Sequence, residues 1–214
     1  MKLSVVVPCY NEGENVIDFY KEIKSVKLPI AMEMEIVFVN DGSRDNTLAT
    51  IKELADEDHR VFYISFSRNF GKEAAMLAGM EHARGDAVVI IDADLQHPPE
   101  LIPELVEKFF QGYDQVIAKR TRKGESKTRS ILSRLYYKLI DQLTDVELTD
   151  GIGDFRLLSR KALNALLTLR EYNRFSKGIF SWIGFKEYVI EYENIVRGRS
   201  EEHTSELQSR ITIS

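Results

Sequence analysis

Cysteine is almost absent: one residue in 214, Cys9, is too few for a disulfide framework or for a zinc site built on several thiolates. A reducing, cytosolic setting is therefore the default expectation, and Cys9, just after an apolar run, reads as a small buried side chain rather than a nucleophile. Long apolar runs are missing as well. No stretch approaches the ~20 residues that cross a bilayer. The N-terminus passes from Met1-Lys2 straight into Leu3-Ser4-Val5-Val6-Val7-Pro8 without a signal-peptide pattern, so the chain as given reads as soluble. An excess of positive charge is also lacking. The 29 Lys and Arg residues against 34 Asp and Glu leave a net charge of −5, which argues against a general nucleic-acid binder. Repeats and low-complexity linkers are not found. What is present is 43% hydrophobic residues in a length that suits one domain with a full core.

Short β-rich apolar runs alternate with segments of helical spacing. Strands are predicted at Leu3–Val7, Glu35–Asn40, Val61–Phe66, Ala87–Asp92 and Gln115–Ala118. Helices are predicted at Glu14–Ser25, Thr47–Glu57, Lys72–Ala83 and Pro99–Phe110, with Pro99 suited to a first turn and Ser43 or Asp45 able to cap the second helix. This alternation implies an α/β fold, a mostly parallel twisted sheet with helices on both faces.

In such a sheet, ligands bind beyond the carboxyl ends of the strands. Polar motifs follow each predicted strand: Pro8-Cys9-Tyr10-Asn11-Glu12, Asp41-Gly42-Ser43, Arg68-Asn69-Phe70-Gly71-Lys72, Asp92-Ala93-Asp94 and Lys119-Arg120. Asp92, Asp94 and Gln96 offer oxygens at alternate positions to one hard cation, Mg2+ or Mn2+, which also takes phosphate oxygens. A helix cap near Pro99 is the alternative role for one of these aspartates. Asp41 suits a base or ribose contact, an Asx turn, or both. Tyr10 offers a flat surface for a base and Glu12 an acceptor. His97 is a further ligand candidate, or a loop residue before Pro98-Pro99.

Beyond Ala118 the pattern changes. Seven basic residues fall between Lys119 and Arg134, interleaved with hydroxyls. A helix is expected from about Thr128 to Gln142. The motif Asp150-Gly-Ile-Gly-Asp-Phe-Arg156 follows, then a helix near Ser159–Leu169 and an aromatic stretch, Phe175–Tyr188. Arg199–Ser214 looks like the in-frame translation of a sequencing-adapter oligonucleotide, with an ordinary polar tail as the alternative. It is set aside from fold reasoning, which leaves residues 1–198 as the domain and 199–214 as a non-native tail.

Taken in order, Val5-Val-Val-Pro-Cys-Tyr-Asn-Glu12, Val39-Asn-Asp-Gly-Ser43, Ser67-Arg-Asn-Phe-Gly-Lys72, Asp92-Ala-Asp-Leu-Gln-His-Pro-Pro-Glu100 and Gly153-Asp-Phe-Arg156 resemble family 2 glycosyltransferases of GT-A fold. More narrowly they resemble the polyprenyl-phosphate glycosyltransferases, over about Lys2 to Gly184. The resemblance implies nucleotide contacts at Pro8, Tyr10, Glu12 and Asp41 together with Asp92-Ala93-Asp94, and a metal site at Asp92, Asp94 and Gln96. It implies an acceptor-phosphate site at Arg120, Arg129 and Ser133, where guanidinium groups pair with phosphate. Asp154 matches the proposed catalytic carboxylate, and Arg156 could pair with it or with phosphate. Glu171–Gly178 matches a segment that closes over the diphosphate, making Arg174 and Lys177 candidates. Trp182, Ile183 and Phe185 suit an apolar interfacial face or the core.

The implied activity is inverting transfer of a hexose, UDP-glucose being the favoured donor, to polyprenyl phosphate. The implied setting is the cytoplasmic face of a membrane, in a homo-oligomer, with C-terminal transmembrane helices expected beyond Gly198. Three alternatives stand beside it: a soluble or polysaccharide acceptor, an inactive nucleotide-sugar-binding module, and a nucleotidyltransferase. The last usually carries a glycine-rich basic loop where this chain has Pro8-Cys9-Tyr10-Asn11-Glu12.

Overall fold

A computed structural model describes residues 1–29, 32–121, 152–169 and 176–193. In chain order the elements are β1 (Lys2–Cys9), α1 (Gly13–Ser25), β2 (Glu33–Asn40), α2 (Thr47–Glu57), β3 (Val61–Ser65), α3 (Lys72–His82) and β4 (Ala87–Ile90). A 3-10 turn (Pro99–Leu101), α4 (Ile102–Phe110), β5 (Gln115–Thr121), β6 (Ile152–Ser159), α5 (Arg160–Thr168), α6 (Ser176–Trp182) and β7 (Glu187–Glu193) follow. The helix expected over Thr128–Gln142, Arg129, Ser133, Arg174 and the tail lie outside the described residues.

The strands form one sheet in the order β3-β2-β1-β4-β6-β5-β7. Parallel pairing joins β1 to β2 and β4, β2 to β3, and β5 to β7. Among the described strands β6 alone runs antiparallel, between β4 and β5. Along β1, Leu3, Val5 and Val7 pack on one face with Phe19, Phe38 and Leu105 from the α1, α2 and α4 side. Val6 packs on the other with Met76, Met80, Leu163 and Phe180 from the α3, α5 and α6 side. The two-residue period of the strand thus feeds two cores, and each fully buried Val, Leu, Ile, Phe or Met contributes about 1.5–3 kcal/mol. Close approach of α3 to β1 depends on Gly79, where a Cβ would lie 2.3 Å from Val6 Cγ1.

The amino edge of the sheet is closed by polar bonds. Buried Glu35 accepts from Ser4 Oγ at 2.6 Å, from the Arg84 amide at 2.7 Å and from Lys2 Nζ at 2.9 Å. Arg160 Nε donates to the Gly85 carbonyl at 2.8 Å. At the opposite edge β1 and β4 part company: their pairing stops at Val6 and Ile90, while β1 continues beside β2 as far as Cys9 and Asn40. Pro8, which has no N–H to give, sits where that second ladder has ended. The strand order reverses around β1 here, so a crevice opens between strand ends that diverge.

Candidate functional site

The crevice is a cleft of about 310 Å3 lined by Pro8, Cys9, Tyr10 and Glu12 after β1, Asp41 after β2, Asn69, Gly71, Lys72 and Ala75 around the start of α3, and Asp92-Ala93-Asp94 after β4. Its size is at the lower end of the range for small-molecule sites. Every residue assigned from the sequence to nucleotide contact lies on its wall. Gln96 does not: it is exposed on the turn beyond, where its amide donates to Asp94 Oδ1 at 3.0 Å.

The loops are stitched together by side chains. Asn11, at a φ of 55° that asparagine tolerates, donates its amide to Ser43 Oγ at 3.0 Å and accepts the Arg44 amide at 2.9 Å. The Glu12 amide donates to Thr47 Oγ1 at 2.8 Å, and Gly13 to Asp45 Oδ2 at 3.2 Å. Asp45 also takes the Thr47 amide at 3.0 Å, but the cap position of α2 is held by Asn46 rather than by Ser43 or Asp45, and no side chain makes the capping bond. The turn after β2 is made by Asn40, whose Oδ1 accepts the Ser43 amide at 3.2 Å. Asp41 reaches instead across to the third loop: Oδ1 accepts the Phe70 amide at 2.7 Å and Oδ2 the Gly71 amide at 2.9 Å. The neighbouring Gly42 has a φ of +64°, and a Cβ there would meet the Arg68 carbonyl carbon at 2.2 Å. These contacts of Asn11, Asp45 and Asp41 were not foreseen, since nothing in local spacing pairs loops about thirty residues apart.

Asp154 shows most clearly what the antiparallel strand does. β6 enters at the carboxyl edge of its neighbours, so its beginning, not its end, lies at the cleft. Register Ile90–Arg156, continued by two residues, sets Asp154 opposite Asp92. Lys72 joins them: its Nζ is 2.7 Å from Asp92 Oδ1 and 2.7 Å from Asp154 Oδ2. Burial works against the Lys72 charge, but the two carboxylates outweigh it and raise its pKa. Lys72 was legible as part of a strand-end motif, without a role.

The potential here is negative. Burial first, then the charges of Asp94, Asp92 and Asp45, raise the Glu12 carboxyl, against a lowering bond from Asn15. Cys9 is buried, and burial, with Glu12 and Asp92, pushes its thiol far up, which leaves it a packing residue. His97 is half-buried, and one of its ring nitrogens is already engaged. Its Nδ1 meets Tyr192 Oη, its ring packs 5.5 Å from that of Phe155, and burial lowers its pKa. Tyr192, pushed up to about 12 by burial, sits on β7 directly beside Arg120 on β5. Arg120 therefore stands at the carboxyl end of its strand, on the β7 side of the site. Arg156 serves neither Asp154 nor a phosphate by direct pairing: it is 1% exposed, donates to the Gly153 carbonyl at 2.9 Å and lies 3.9 Å from the centre of the Phe180 ring. Lys177 falls in α6, and its side chain lies outside the described residues. Trp182 is 65% exposed, whereas Ile183 packs on the core and Phe185 lies under Lys161.

Among the described residues no three Asp, Glu, His or Cys side chains converge on one point. Glu12, Asp41, Asp92 and Asp94 all line the cleft, and Mg2+ is commonly held by one or two carboxylates with the remaining positions taken by phosphate and water. The charges of Glu12, Asp92 and Asp94 oppose an incoming diphosphate, and Lys72 offsets only one of them. The donor set therefore fits a divalent ion at Asp92 and Asp94.

Comparison with known proteins shows the family. Residues 4–167 match the family Glycosyl transferase family 2. The chain is 56% identical over 195 residues to "Putative glycosyltransferase CsbB" of Bacillus subtilis, covering 91% of this chain and 59% of that protein. It is 45% identical over 193 residues to the bactoprenol glucosyl transferase of Shigella phage SfV, covering 90% and 63%. The chain thus spans about three fifths of the length of these relatives. Among solved structures, the mannosyltransferase PcManGT of Pyrobaculum calidifontis, in complex with GDP-Man and Mn2+, superimposes with a TM-score of 0.65 at 18% identity, over 92% of this chain and 58% of that one. The seven-stranded, mostly parallel sheet is that of a GT-A glycosyltransferase. The chain belongs to the family 2 glycosyl transferases.

Proposed function

We propose that this domain carries the inverting transfer of a hexose from a nucleotide sugar, UDP-glucose first among candidates, to a polyprenyl phosphate at the cytoplasmic face of a membrane. The observation that carries the reading is the meeting of Asp92 and Asp154, from separate strands, against one Lys72 nitrogen at the β1–β4 cleft. That juxtaposition supports a shared site for a donor diphosphate and an acceptor. The 45% identity to a bactoprenol glucosyl transferase supports the lipid phosphate acceptor and the glucose donor. Among the described residues no helix is long and apolar enough to cross a membrane.

Pro8, Tyr10 and Glu12 receive the base and ribose. Asp41, with two acceptor positions already committed to Phe70 and Gly71, holds the far wall and keeps acceptor capacity for the base. Asp92 and Asp94, with Gln96 brought in from the turn, would hold Mg2+ or Mn2+, which when bound offsets the charge growing on the departing diphosphate. Arg120, with Arg129 and Ser133, takes the acceptor phosphate through charge-assisted bonds. Arg174 and Lys177 close over the diphosphate. A phosphate monoester has its second pKa near ~6 and is largely ionised at neutral pH, so Asp154 orients the reacting groups rather than removing a proton. The acceptor oxygen bonds to the anomeric carbon from the face opposite the diphosphate, whose oxygen leaves with the bonding pair, and the configuration inverts.

The test is a panel of UDP-glucose, UDP-N-acetylglucosamine and GDP-mannose, each with undecaprenyl phosphate and Mg2+ or Mn2+, the lipid product being identified by mass spectrometry. A hexosyl lipid phosphate with release of nucleoside diphosphate is expected, and Arg120→Ala should abolish it. Release of pyrophosphate, or lipid transfer unchanged in Arg120→Ala, would overturn the reading.

A further inference from the structure

Lys72 opens α3 and reaches across the cleft to the strand-end carboxylates. Its ammonium lies 2.7 Å from Asp92 Oδ1, 2.8 Å from Asp92 Oδ2 and 2.7 Å from Asp154 Oδ2. Both oxygens of Asp92 are therefore turned toward one internal cation, at the spot where the carboxylate would otherwise face an incoming ion. The lysine stem is flexible and its side chain is 43% exposed, so the ammonium can leave without unpacking the core. The ammonium thus lies between two carboxylates of like charge, with Asp94 and Glu12 on the same cleft wall.

We propose that Lys72 is a place-holder for the divalent cation: it keeps Asp92 and Asp154 together in the donor-free protein, competes with the metal for Asp92, and transfers to the diphosphate oxygens when metal and donor enter. This rests on the metal–diphosphate reading of the cleft. Two consequences follow from charge alone. The donor-free protein binds a divalent ion weakly, because the ion must displace an ammonium already paired. Nucleoside diphosphate strengthens metal binding beyond its own ligation, because it offers the displaced ammonium a new partner.

The experiment is a Mn2+ titration followed by electron paramagnetic resonance, in which the signal of free Mn2+ falls on binding, on the protein with and without UDP. Lys72→Met removes the charge and keeps most of the stem. It is expected to bind Mn2+ about tenfold more tightly without UDP, about 1.4 kcal/mol, and to gain less from UDP than the unsubstituted protein. Lys72→Arg, still a cation, should retain weak donor-free binding. If Lys72→Met does not fold, as judged by circular dichroism, Lys72→Gln replaces it with the same expectation. Donor-free Mn2+ affinity that is unchanged or weaker in the charge-removed variant, while UDP still promotes Mn2+ binding to the unsubstituted protein, overturns the place-holder and leaves the metal site standing. No Mn2+ bound by any of these proteins, with or without UDP, overturns both.

Discussion

Replacing Asp41 by asparagine should cost the protein both stability and donor affinity. Asp41 is 3% exposed, and its two oxygens separately accept the Phe70 amide at 2.7 Å and the Gly71 amide at 2.9 Å. Hydrogen bonds to a charged group contribute about 1.5–3 kcal/mol each. Asparagine keeps one oxygen, so one of these becomes an ordinary neutral bond. Its NH2 then faces the other backbone N–H, donor against donor, and rotation of the side chain only exchanges which amide is left. The combined loss is about 3 kcal/mol, which for a domain of this size lowers Tm by roughly 6–12 °C. The loop so released carries Asn69, Gly71 and Lys72, all on the cleft wall. UDP affinity should therefore fall about tenfold, or ~1.4 kcal/mol. Urea unfolding followed by circular dichroism reads the first effect, and calorimetric titration with UDP and Mn2+ reads the second. A stability change below about 0.5 kcal/mol, the range of an ordinary surface substitution, with UDP affinity unaltered, would refute the role given to these two bonds.

Gly42→Ala tests the same wall by geometry rather than charge. A Cβ at a φ of +64° is strained and would press on the Arg68 backbone at 2.2 Å, so a loss of about 2–4 kcal/mol is expected, read as a lower urea midpoint. Glu35 carries a pH prediction for the opposite edge. Burial raises its pKa, but the bonds from Ser4, Arg84 and Lys2 outweigh it and the folded value is lowered. Its contribution is then complete above the unfolded carboxyl value of ~4.3 and is lost as pH falls through the lower folded value. Glu35→Gln should be less stable than the unsubstituted protein at pH 7, by urea denaturation, and the gap should close below about pH 4; a gap that stays constant with pH would sink this assignment.

The five strands up to Thr121 were legible because each is a short run rich in β-branched or aromatic residues and bounded by polar turn residues, and they fall within two or three residues of their expected ends. So was the cleft, since motifs at the ends of parallel strands must share one edge. Two strands were not. β6 is built from Ile152-Gly-Asp-Phe-Arg, whose glycine, aspartate and fully buried arginine hide the strand behind a motif. β7 reads Glu-Tyr-Val-Ile-Glu-Tyr-Glu, and only pairing with β5 explains why Ile190 and Tyr192 are buried while the alternating glutamates and Val189 are exposed. The antiparallel insertion of β6 is also what brings Asp154 to Asp92, a long-range fact that local spacing does not contain. Lys72 and Asp41 belong to the same class: the residue types were visible, and their partners, twenty to eighty positions away, were not.

The most direct measurement is calorimetric titration of UDP into the protein with Mn2+ and with a chelator, compared with the same titrations on Asp92→Asn/Asp94→Asn. The expected result is UDP binding that depends on Mn2+ in the unsubstituted protein and loses that dependence in a folded double variant. UDP bound equally well with chelator, or Mn2+-dependent binding that survives the double substitution, would contradict the placement of metal and diphosphate at the end of β4.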